Sequence, residues 1–141
     1  MMKFLSSLIV SCLLLVGMAH AEVAVIVSLD NKNTYTIMDK ELIGRIFLAK
    51  VTRFPDGTIV HPVNLVQGDD IREAFNRDYL AKTESQLSRY WSRLRFSGKA
   101  SLPREVSSVE EMKVLIANDS TLIGYIDSMD VDDRIKVVHK Y

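Results

Sequence analysis

An α/β domain with a three-layer arrangement and a mainly parallel sheet is the fold class this sequence predicts. Three observations carry it. Short, β-branched apolar runs recur along the chain, segments with helical apolar spacing lie between them, and no internal repeat or low-complexity linker interrupts the alternation.

The first run, Val23-Ala24-Val25-Ile26-Val27, is continuously apolar, which suits a strand covered on both faces and predicts a central parallel strand. Ser28 to Asn33 is polar and turn-rich, so the chain leaves the sheet there. Asp39 precedes Leu42, Ile43, Ile46 and Phe47, the spacing of one helical face, and is the expected N-cap of a first helix. Phe54-Pro55-Asp56-Gly57 reads as a turn, followed by a second strand within Thr58 to Val66 with Pro62 near its start or edge. From Asp70 the helical period resumes through Ile71, Ala74, Phe75 and Tyr79. Leu87, Tyr90, Trp91 and Leu94 then repeat at i, i+3, i+4 and i+7, which marks a second helical stretch and places Tyr90 and Trp91 in the core. Pro103 breaks the chain, and Ser108 with Glu111 forms a capping-box signature for a helix carrying Met112, Leu115 and Ile116. A third strand is expected at Thr121 to Ile126 and a short last one at Ile135 to Val138.

The first 21 residues read as a targeting segment. Met1-Met2-Lys3 is a positive start, Phe4 to Met18 is almost unbroken apolar sequence, and Ala19-His20-Ala21 is a small-x-small site, so a secretory signal (1–21) cut after Ala21 is expected. The apolar run is shorter than the roughly 20 residues a membrane span needs. Ile9-Val10-Ser11-Cys12 also has the shape of a lipoprotein cleavage box, which leaves Cys12 as an alternative processing site. Cleavage after Ala21 leaves 120 of the 141 residues (22–141), enough for one domain, with 17 basic and 18 acidic residues and no cysteine. That composition excludes disulfides, thiolate metal sites and a cysteine nucleophile, and its charge balance gives no reason to expect a nucleic-acid partner.

Three constellations bear on function. Val66-Gln67-Gly68-Asp69-Asp70-Ile71-Arg72-Glu73-Ala74-Phe75 takes an apolar strand through a glycine turn into a helix, an arrangement whose open amides can hold an anion. Asp70 and Glu73 form a capping pair that would occupy the same amides. Arg89, Arg93, Arg95, Lys99 and Arg104 form a basic stretch with no acid between Glu84 and Glu105, either a solvated helix face or a surface for an acidic partner. Asp127-Ser128-Met129-Asp130-Val131-Asp132-Asp133 lacks the glycine and distal glutamate of a calcium loop and reads as a solvated turn. His61 and His139 have no metal-ligand spacing, so neither a metal nor a cofactor is expected. No nucleophile motif is present, and the chain is not read as an enzyme.

Several of these pieces together resemble a known family. The segment Leu42-Ile43-Gly44-Arg45-Ile46-Phe47-Leu48-Ala49-Lys50-Val51-Thr52-Arg53-Phe54 is similar to one in the periplasmic phosphate-binding proteins of ABC importers. Pro62-Val63-Asn64-Leu65-Val66, the turn at Gly68 and the helix through Arg72 and Phe75 fall where that family has its serine-glycine-threonine phosphate loop. Ile123-Gly124-Tyr125-Ile126-Asp127 resembles a later strand, and Tyr90 to Lys99 also has a familiar form among short members.

The resemblance implies one lobe of the type 2 periplasmic-binding-protein fold, a periplasmic location and a phosphate or related oxyanion ligand. The ligand edge would be Gly68, Asp69, Asp70 and Arg72, with Ser28 as an extra donor at the end of a neighbouring strand. The sequence departs from the family at that edge, where Asp69 and Asp70 stand in place of hydroxyls and open amides. Two functional classes follow from the residues and the resemblance: a solute-binding module working with an ABC permease, or a ligand-free envelope module that docks a protein through the Arg89 to Arg104 face.

Overall fold

The computed structural model describes residues 21–33, 38–98 and 102–141. The expected signal segment, Cys12 and Lys99 lie outside them. Among the described residues no helix is long and apolar enough to cross a membrane.

The chain runs β1 (Val23–Ser28), α1 (Lys40–Phe47), β2 (His61–Leu65), α2 (Asp70–Phe75), a π-helical turn (Asn76–Leu80), α3 (Glu84–Ser97), β3 (Arg104–Val106), α4 (Val109–Asn118), β4 (Leu122–Asp127), a 3₁₀ turn (Ser128–Asp130) and β5 (Ile135–Lys140). The five strands form one sheet in the order β3-β2-β4-β1-β5. Residues 124 and 125 of β4 show why it is covered on both faces. A Cβ at Gly124 would meet Met112 and Ile116 of α4, whereas the Tyr125 ring stacks on Phe75 at 4.0 Å and lies 5.8 Å from Phe47. One helix layer is therefore α4 and the other is α1 with α2, giving the three-layer α/β architecture.

The expectation of a mainly parallel sheet is corrected. β2 is parallel to β3 and β4, but β1 is antiparallel to both of its neighbours, β4 and β5, so the sheet is mixed. The physical reason is that an unbroken apolar run reports burial on both faces, which β1 has at every residue, and says nothing about strand direction. Strand β3 was not anticipated: Arg104 closes the basic stretch, Glu105 and Val106 follow it, and three residues are too few for a strand pattern to show.

Local signals placed the helices well. Asp39 caps α1 by accepting from the Leu42 amide at 2.8 Å, and Ser108 caps α4 by accepting from the Glu111 amide at 3.1 Å. Glu111 reaches back to the Ser107 amide rather than to that of Ser108. Thr83 and Gln86 form a reciprocal capping box on α3. Each such cap is worth about 1 kcal/mol. Helix α3 lies outside α1 and α2, burying Leu87 and Trp91 and donating from the Tyr90 hydroxyl to the Leu48 carbonyl at 2.6 Å. α1 approaches the π-helical turn so closely that a Cβ on Gly44 would lie 2.7 Å from the Tyr79 carbonyl oxygen.

Candidate functional site

β2 ends at Leu65, and the chain turns through Gly68, whose φ of +90° lies in the left-handed region where a side chain is strained. The Asp69 amide donates back to the Val66 carbonyl at 3.2 Å, and α2 starts immediately after. Its cap is Asp69, not Asp70. The Asp69 carboxylate accepts from the Ile71 amide at 2.8 Å and the Arg72 amide at 3.2 Å, the donors an incoming anion would need. Moving the cap one residue back puts Arg72 rather than Glu73 at the third helical position, so the expected Asp70–Glu73 pair does not form the cap. Asp70 and Glu73 are exposed in the first turn.

Arg72 points inward. It is 2% exposed, and its guanidinium donates through Nε to Glu84 Oε2 at 3.0 Å, through Nη2 to Glu84 Oε1, and through Nη1 to Glu105 Oε1 at 2.8 Å and the Leu65 carbonyl at 2.7 Å. Burial pulls its pKa down, but the hydrogen bonds to Glu84 and then Glu105 outweigh that and hold it above its ordinary value. The charge is thus fixed in place by two carboxylates. Asn76, at the start of the π-helical turn, donates to Glu84 Oε2 at 2.8 Å and keeps that carboxylate oriented.

Beside this cluster the Tyr125 hydroxyl donates to Asn64 Oδ1 and accepts from the Leu65 amide at 3.3 Å. Burial pushes the Tyr125 phenol well above its ordinary pKa, so it acts as a neutral donor.

The structure brings Gly68, Asp69, Asp70 and Arg72 to one edge but places Ser28 elsewhere. Because β1 is antiparallel to β4, Val23 pairs with Asp127 and Val27 with Ile123, while His61 of β2 pairs with Leu122. Ser28 therefore lies at the end of the sheet where β2 begins, opposite to Gly68. It is 1% exposed, and its hydroxyl accepts from the Asp30 amide at 3.2 Å. The rule that sites lie beyond strand carboxyl ends assumes parallel strands, which β1 and β2 are not.

The edge that does receive the ends of β2 and β4 is acidic and self-capped. Asp127 closes the 3₁₀ turn after β4 by accepting from the Met129 amide at 3.0 Å, as Asp69 closes α2 after β2. Further along, Asp132 accepts from Arg134 Nη2 at 2.7 Å and from Lys113 Nζ at 3.0 Å, and these hydrogen bonds, Arg134 first, hold it far below the usual carboxylate range. Among the described residues no three His, Cys, Asp or Glu side chains group as metal ligands.

The basic stretch divides. Taking about 100° per residue, Gln86, Arg89, Arg93 and Phe96 share an arc of about 80° on the outer side of α3, whereas Arg95 lies about 160° away from Arg93. Arg89, Arg93 and Arg95 are exposed and make no ion pair among the described residues. Arg104 is on β3, a different element. Sequence reading missed Glu84, Glu105, Asn64 and Tyr125. A signal was present, since Glu84 and Glu105 are the two acids that bracket the acid-free stretch, and both turn to Arg72.

No protein-family model matches the sequence, and no curated protein matches it significantly. Solved structures do. A phosphate ABC transporter substrate-binding protein with bound phosphate from Clostridium perfringens superposes with a TM-score of 0.65 at 19% identity, over 84% of this chain and 45% of that one. An ABC-type phosphate transport receptor from Vibrio cholerae gives 0.63 at 18% identity, over 84% and 46%. PstS from Borrelia burgdorferi gives 0.60 at 14%, over 84% and 47%. The fold is thus shared with these proteins, and the chain spans about half their length.

Proposed function

We propose that this chain is a periplasmic protein of the solute-binding-protein type, exported by its N-terminal segment, that works as an envelope interaction module rather than as a phosphate carrier. The observation that carries this reading is the Asp69 carboxylate seated on the Ile71 and Arg72 amides, beside an arginine already neutralised by Glu84 and Glu105. A phosphate arriving there would have to displace the protein's own carboxylate and enter a field set by Asp69, Asp70, Glu84 and Glu105. The likeness to transport proteins supports a binding role over an enzymatic one.

A second reading has one specific support, the neighbour that holds phosphate. In it, Gly68, Asp69, Asp70 and Arg72 bind phosphate or another oxyanion and deliver it to an ABC permease. Titration of the purified protein with inorganic phosphate, followed by Trp91 fluorescence and melting temperature, separates the two. Trp91 is a suitable reporter because its ring lies 5.9 Å from the Arg72 guanidinium. The interaction reading expects no saturable change up to millimolar phosphate. A saturable rise in melting temperature would overturn it in favour of oxyanion capture, since a ligand bound to the native state must raise apparent stability.

A further inference from the structure

The outer side of α3 carries the one strongly basic helix face of the described residues, and it is built as more than a solvated stripe. Its core side holds Leu87 and Trp91, so the opposite arc is free of packing duty. That arc presents Gln86, Arg89, Arg93 and Phe96 over about 15 Å, taking 1.5 Å per residue, with Lys82 preceding the helix. The helix's single acid, Glu84, is turned away to Arg72, so nothing on α3 neutralises the two outer arginines. Phe96 is 93% exposed, the most exposed of the large apolar side chains described. Ser88 and Ser92 flank the arginine row, and their small side chains let another backbone come close.

Two guanidinium forks one turn apart, with an exposed aromatic ring a turn further on, match a particular kind of surface. Arginine forks pair with carboxylates in two-point contacts, and residues four apart on a helix face the same way at about 6 Å spacing. An exposed aromatic beside them supplies the apolar anchor that charge alone lacks.

We infer that the Arg89–Arg93–Phe96 face of α3 docks an acidic helical segment of a partner protein, one with two carboxylates a turn apart next to an apolar residue. This deepens the interaction-module reading and rests on it. The carboxylates would meet Arg89 and Arg93, Lys82 would extend the attraction along the segment, and Phe96 would fix the register. Arg95 and Arg104, on other surfaces, take no part.

The test uses a synthetic helical peptide of about fourteen residues with glutamates at i and i+4 beside a leucine, and the same peptide with glutamines instead, titrated into the purified protein. Saturable binding of the glutamate peptide is expected, weakened at least about tenfold by the double charge reversal R89E/R93E, by Phe96→Ala alone, and by glutamine in the peptide. Arg95→Glu is expected to change it less than about twofold. All three variants change exposed positions, and melting curves check that each is folded. Absence of binding at millimolar peptide, or binding that ignores Phe96→Ala, overturns the proposal. So does binding to vesicles containing phosphatidylglycerol through these residues in place of the peptide. Failure of the peptide to bind overturns this docking face alone, whereas a saturable phosphate response overturns the interaction-module reading on which it rests, so the two failures are told apart.

Discussion

Two sets of arginines divide the molecule. Arg72 is sealed between α2, α3 and β3, with four of its five donors spent on Glu84, Glu105 and a backbone carbonyl. Arg89 and Arg93 stand on the outside of α3 with no described acid against them. The residue type is identical, yet one holds three elements together and the others are available to a second molecule. The difference lies in what the fold puts around each side chain, and a motif built on the presence of an arginine cannot distinguish them.

The contrast breaks most sharply at Arg72. Arg72→Met should lower stability in urea denaturation by about 3 kcal/mol, the lower end of the range for removing one partner of a buried pair, because Glu84 and Glu105 keep some contact with water. Arg72→Lys should recover little of that, since an ammonium cannot serve Glu84 through two parallel bonds. If Arg72→Met were as mild as a surface change, the cluster would not be the fastening described. Tyr125→Phe comes next, at about 1–3 kcal/mol, because it strands the buried Asn64 carbonyl oxygen without changing the ring stack on Phe75. Asp69→Ala should cost about 1 kcal/mol through the lost cap, and Asp69→Asn much less. At the other pole, R89E/R93E should shift stability by less than about 0.5 kcal/mol, since neither side chain packs against the core.

The smallest effect is a pH dependence at the sheet edge. His139 of β5 faces the Tyr79 hydroxyl at 2.8 Å, and burial first, with Lys40 adding to it against Asp39, holds its pKa below the ordinary 6.5. The unfolded chain therefore takes up the proton before the folded one does. The contribution is complete above pH 6.5 and declines as pH falls through the window beneath it, so stability should rise with pH there. Urea midpoints measured from pH 5 to 7.5 should show that slope in the native protein and a flatter one in His139→Gln.

Much of the fold was legible because its signals are local. Asp39 and Ser108 announce helix starts by a side chain reaching three residues ahead, and the apolar spacing of Leu87 and Trp91 reports one buried face. Strand direction was not legible, because β1 selects its partners from residues about a hundred positions away. The error carried forward, since Ser28 was assigned to the anion edge by a rule for parallel strands. The cap of α2 was displaced by one residue because Asp69 and Asp70 are chemically equal candidates, and only the turn at Gly68 decides which carboxylate faces the amides. Arg72's partners were invisible for the same reason as β1's. Glu84 lies 12 and Glu105 33 residues away, on elements whose packing no local pattern encodes.

The position of β1 has a consequence for how the chain comes to be folded. It is the earliest strand in sequence, yet it sits between β4 and β5, the two latest. Its backbone donors and acceptors find their partners only when residues 122–140 arrive. A chain emerging from the ribosome would carry an unpaired strand with five consecutive apolar residues until residues 122–140 had emerged, and the closing of that long loop makes the central pairing a late, slow event. Such a polypeptide stays open for longer than one whose first strands zip to each other, and a chaperone or translocation channel has that interval in which to hold it.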